Sequence, residues 1–132
     1  RRGMNTAFAS IAAAFALIVV TRVMLLLEQK KLGDYDNQRP RRQWRQLKDR
    51  GARVLETHVD ALESFAPFAV AVLLAHFSDA VPKRVDMLAM AWVVCKVVHP
   101  AAHVAEADYL RAGLGIMSYV CVAGLFALAL LA

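Results

Sequence analysis

Residues 112–132 carry no charged side chain, and residues 7–27 carry only one, Arg22. A helix of about 20 mostly apolar residues is long enough to cross the hydrocarbon core of a bilayer. Two such stretches in so short a chain leave little room for a soluble fold, and two further segments between them have similar length. The expectation is a single all-α integral membrane domain, a four-helix bundle with spans at about 7–27, 55–77, 85–103 and 110–132. Composition agrees: 59% of the 132 residues are apolar and the mean hydropathy is +0.44, against about 45–50% apolar residues in soluble domains. The third span is the weakest by hydropathy, because Asp86 and Lys96 interrupt it.

The formal charge is +5 and the isoelectric point near 9.6, yet the basic residues do not suggest nucleic acid. They crowd the first loop, residues 28–50, and its edge: Lys30, Lys31, Arg39, Arg41, Arg42, Arg45, Lys48, Arg50 and Arg53. Short loops rich in Lys and Arg stay on the cytoplasmic side, which puts both termini and the turn near Pro82 outside. Arg1 and Arg2 then fall on the far side, outnumbered by the loop. A cleaved signal peptide is not expected, since the first span exceeds an h-region and runs into a basic stop signal. Gly33, Asp34, Asp36, Asn37 and Pro40 supply turn chemistry, so the whole segment reads as loop, with Trp44 at the interface. The basic run reads as a topology signal in contact with anionic membrane lipids.

Several residues within the spans read as structural. Ala9, Ala13 and Ala16 recur at helical spacing and give a face on which another helix can approach closely. Arg22 reads as an anchoring charge that reaches the headgroups. Cys95 and Cys121 read as small apolar residues, with no disulfide inferred. His58 and His76 read as isolated interfacial histidines.

Two polar stripes do not fit a purely structural reading. Arg53, Glu56, Asp60, Glu63 and Pro67 share one face of the second helix, which begins near Gly51 and which Pro67 should kink. Lys96, His99, His103 and Glu106 share a face of the third if Pro100 starts a new turn and the helix persists beyond it. Arg111 opens the fourth span. Ionisable groups at membrane depth face a protein interior or a wet cavity, so one polar cavity near the basic loop is expected. Guanidinium groups there suit an anionic ligand, and a neighbouring Arg would favour the thiolate of a ligand carrying a thiol. An internal ion-pair network that locks the helices together accounts for the same residue types.

Arg53, His58, Asp60, Glu63 and Pro67 with Phe68, preceded by YDNQRPR at residues 35–41 and followed by Lys96, His99, Leu110 and Arg111, resemble the MAPEG family. These are membrane-associated proteins in eicosanoid and glutathione metabolism, and the loop is similar to that of the bacterial branch. The resemblance covers nearly the whole chain. It implies a bacterial inner-membrane protein that assembles as a homotrimer, with glutathione held between subunits near the cytoplasmic face. On this resemblance Arg53, Glu63, His99 and Arg111 match positions that hold glutathione or build the site, and the two polar stripes add Asp60, Lys96 and His103 to the expected ligand-binding residues. Arg53 and Arg111 would meet the ligand's carboxylates or thiolate, with Arg111 the catalytic residue, and Glu63 would take its amino group. The implied chemistry is thiolate attack on a lipophilic electrophile from the bilayer.

The chain also departs from the family pattern. Glu56 stands where many members have Arg, Asp60 where Asn is usual, His103 where Tyr is usual, and Ala112 where some members have a Ser that stabilises the thiolate. Two of these changes add negative charge beside the expected anion site. The alternatives are a non-enzymatic membrane subunit of the same fold, or a metal-binding bundle in which Glu56, Asp60, Glu63, His99, His103 and Glu106 supply ligands at helical spacing.

Overall fold

The computed structural model describes residues 4–132; Arg1 and Arg2 lie outside the described residues. The chain forms α1 (Met4–Lys30), α2 (Pro40–Trp44), α3 (Arg50–Phe77), α4 (Pro82–Val104) and α5 (Asp108–Leu131), with no strand among the described residues. Four of the five, α1, α3, α4 and α5, are long and apolar enough to cross a membrane.

Local chemistry sets the boundaries. Asp49, before α3, has φ 52°, and Asp79, after it, has φ 56°, a left-handed backbone that a helix cannot continue through. Pro82 opens α4, where its missing N–H costs nothing. Glu106, in the turn between α4 and α5, again has positive φ, at 61°. Pro67 and Pro100 lie inside α3 and α4. Pro100 starts no new turn: α4 runs through it to Val104. That continuity keeps His99 and His103 one turn apart on a single face.

Around the bundle, α1 packs on α3 and α4, α5 packs on the same two helices, and α3 meets α4 between them. The main core lies in the half of the bundle away from the basic loop. Phe68 and Trp92 stack there with ring centroids 3.8 Å apart and planes within 1°, among Ala71, Val72, Ala75, Ala89, Cys121 and Leu125, all buried. Small residues let the helices approach: a Cβ on Gly124 of α5 would stand 3.0 Å from the Leu88 side chain of α4. In lipid this close contact is the main source of helix association. Cys95 and Cys121 are buried and free.

Asp86, which interrupts the third span, has a structural partner. Its Oδ1 accepts the backbone N–H of Ala7 at 3.1 Å, satisfying one of the donors that the first turn of α1 leaves unpaired. The expected small-residue face of α1 is displaced by one position. Ala7, Ser10 and Ala14 are buried, while Ala9, Ala13 and Ala16 stay exposed and line grooves beside α4.

The basic segment is not all loop. Pro40 starts one helical turn, α2, because its fixed φ suits the first helical position. Fully buried Gln29 ties α2 to α1 by donating from Nε2 to the Pro40 carbonyl at 3.0 Å and to Gln43 Oε1 at 3.2 Å. Gln43 Nε2 in turn donates to the Asp34 carbonyl at 2.9 Å. Leu47 joins Leu25 and Val54 in a second, smaller core, with Trp44 packed against it. Arg22 Nη2 reaches the Tyr35 hydroxyl at 3.4 Å.

Candidate functional site

The polar stripe of α3 runs beside its buried seam, and this offset shapes the site. Val54, Thr57, His58, Ala61 and Phe68 are buried, whereas Arg53, Glu56 and Asp60 sit one residue back, about 100° around the helix. They therefore stand at the edge of the bundle interior, within reach of α4. Lys96, His99 and His103 of α4 face them, and three pairs from α3 to α4 and the turn after it form a ladder.

Deepest in the bundle, Lys96 Nζ donates to Asp60 Oδ2 at 2.9 Å, with His99 Nδ1 3.8 Å from the same oxygen. The Lys96 side chain is 4% exposed and that of Asp60 33%. Next, His103 Nε2 lies 2.8 Å from Glu56 Oε2. At the rim, Arg53 Nη1 lies 2.9 Å from Glu106 Oε1, with Glu106 68% exposed. The left-handed turn at Glu106 is what swings this carboxylate back over α3.

Of the expected site residues, the structure thus brings together Arg53, Asp60, Lys96, His99 and His103. Arg111, in the first turn of α5, lies within electrostatic range of His99. Glu63 does not join: it is exposed and has no polar partner among the described residues. Spacing of three from Asp60 put it on the same stripe, but the paired part of the stripe covers only the two turns from Arg53 to Asp60.

The ladder bears on the metal alternative. Among the described residues no group of three His, Cys, Asp or Glu side chains is placed to hold a metal ion. Asp60, Glu56 and Glu106 are committed to different cationic or imidazole partners, His99 and His103 are shared between two carboxylates, and Glu63 faces outward.

His58 corrects another expectation. It is buried rather than interfacial, and its Nδ1 lies 2.9 Å from Thr21 Oγ1, which also contacts the Leu17 carbonyl at 2.9 Å. This bond joins α1 to α3 just below the ladder. A buried threonine inside an apolar span was the only sequence signal for it. His76 sits edge-on to Phe8 at the opposite end, with ring centroids 5.0 Å apart.

Four buried nitrogens at the site make no hydrogen bond, Arg53 Nε, Arg111 Nε, His99 Nδ1 and His103 Nε2, the last standing 2.8 Å from the Glu56 carboxylate. Buried polar atoms are rarely left so. Arg53 and Lys96 already hold carboxylates, whereas Arg111 has no ion pair among the described residues. The arrangement can take an anionic group at Arg111 directly, and at Arg53 by displacing Glu106. An apolar groove of about 560 Å³, lined by Ala13, Ala16 and Leu17 of α1 and Val97, Pro100 and Ala101 of α4, opens on the neighbouring face of α4.

No curated protein and no solved structure matches the chain. A family model, however, matches residues 6–131, nearly the whole chain. Together with four membrane-length apolar helices, that match shows that this integral membrane protein belongs to the MAPEG family, a glutathione-related family of membrane proteins.

Proposed function

We propose that the protein binds glutathione at the ladder end of the bundle and uses its thiolate to conjugate or reduce lipophilic electrophiles. The observation that carries this reading is Arg111, the cation of the cluster left without an ion pair, whose Nε is buried and lacks an acceptor. A guanidinium in that state favours an anion, carboxylate or thiolate, by a charge-assisted hydrogen bond. Arg53, Asp60, Lys96, His99 and His103 form the rest of the binding wall. The groove between α1 and α4 offers the apolar co-substrate a route from the bilayer.

In this reading the protein is a homotrimer, and outward-facing Glu63 meets the ligand's amino group where a neighbouring subunit closes the site. A protein mass of one chain by light scattering in detergent would exclude this assembly. The loop between α1 and α3 faces the cytoplasm of a bacterial inner membrane; a reporter fused to Ala132 that is active only in the cytoplasm would contradict that orientation.

The direct test is calorimetric titration of glutathione into the detergent-solubilised protein. Saturable binding is expected, and Arg53→Ala should weaken it by about 1.5 kcal/mol. That is the low end for a charged hydrogen bond, because Arg53 must first release Glu106. Unchanged affinity would remove Arg53 from the site. A second reading, a non-enzymatic membrane subunit, is favoured by the internal pairing of Arg53, Glu56, Asp60 and Lys96; absence of any glutathione binding would select it.

A further inference from the structure

We propose that residues 39–48 form a preformed binding surface for the headgroups of anionic phospholipids. The segment, RPRRQWRQLK, holds five cations and no acid. Arg39, Arg41, Arg42, Arg45 and Lys48 are all exposed, while Gln43 and Leu47 are buried and Trp44 is half-buried. One face is therefore fixed to the bundle and the other is uniformly basic. None of these five cations has an ion pair among the described residues. Other basic residues at this end do: Lys31 and Arg50 share Glu28, and Arg53 holds Glu106.

A basic loop that only sets topology needs charge and no shape. This one has shape. Gln29, fully buried at the end of α1, holds Pro40 and Gln43, and Gln43 holds the Asp34 carbonyl. Asp36 Oδ1 accepts the backbone N–H groups of Gln38 and Arg39, each at 3.0 Å. Arg41 lies over the Trp44 ring at 5.8 Å. Ordering the backbone before a ligand arrives lowers the cost of binding, and arginine forks match phosphate oxygens in pairs. The surface sits where α1 ends at Lys30 and α3 begins at Arg50. Both are membrane-length helices, so headgroups are already concentrated at that level. This placement favours a lipid over a soluble polyanion, and it does not depend on the glutathione reading.

The test places the whole protein in nanodiscs with equal mole fractions of phosphatidylglycerol and phosphatidylcholine, then counts retained lipids by native mass spectrometry. Each headgroup-level cation contributes about fivefold in association, so the wild type should retain phosphatidylglycerol at least fivefold over phosphatidylcholine. The Arg41→Gln, Arg42→Gln, Arg45→Gln triple variant, which keeps Arg39 and Lys48, should reduce that preference at least fivefold. Lys83→Gln with Arg84→Gln, exposed cations at the opposite end, should lower the preference less than the triple variant does. Gln29→Ala keeps every cation and should reduce the preference by about twofold through lost ordering. Parity in the wild type, or an unchanged preference in the triple variant, would overturn the proposal. So would tight binding of a duplex oligonucleotide that the triple variant abolishes.

Discussion

The two halves of the bundle are held together by different physics. Away from the basic loop, α3, α4 and α5 meet through small residues and the stacked Phe68 and Trp92 rings, with the Asp86 bond to Ala7 as a polar addition. At the loop end α3 meets α4 and the turn after it through Lys96 and Asp60, His103 and Glu56, Arg53 and Glu106. Packing in a dry core is specific and hard to replace. Ion pairs near an interface are individually weak and exchangeable for a ligand's charges. The first half suits a fixed scaffold, and the second suits a site whose internal partners give way to an incoming anion.

Substitutions can break this contrast in order of size. Phe68→Ala removes a fully buried ring and should cost about 3 kcal/mol, read as a loss of thermal or denaturant resistance in detergent; a neutral result would mean the stacked pair is not the anchor of the scaffold half. Lys96→Met leaves Asp60 without its cation and should cost about 2 kcal/mol. That is below the 3–5 kcal/mol of a fully buried pair, because Asp60 is a third exposed. Adding Asp60→Asn should restore most of the loss, whereas additive costs would show that the two side chains do not act as a pair. The smallest stability effect, under about 1 kcal/mol, is expected at Arg111, which has no ion pair to lose.

Much of this was legible in the sequence, and the residues show where legibility stopped. Uncharged runs as long as residues 112–132 leave few folds open, so four apolar helices could be read directly, and the motif around Arg53 and Glu63 pointed to the family. Which side chains meet was not legible, because pairing depends on the rotation of each helix about its axis. A one-residue offset put Asp60 against Lys96 but left Glu63 outside, and moved the buried face of α1 from Ala9, Ala13 and Ala16 to Ala7, Ser10 and Ala14. Two of the residues singled out as departures answer one another, Glu56 meeting His103, and a third, Asp60, meets Lys96. Added negative charge that looked hostile to an anion is largely taken up within the ladder. Gln29 and Gln43 gave no signal either, since a lone glutamine has no periodic signature.

The measurement that bears most directly on the central claim is glutathione binding by Arg111→Ala beside the wild type, with the melting temperature of both recorded without ligand. The account predicts saturable binding in the wild type, its loss in the variant, and closely matching melting temperatures. Binding that survives in the variant would remove Arg111 from the ligand site, and a variant that loses stability as Lys96→Met does would show that Arg111 holds the bundle together.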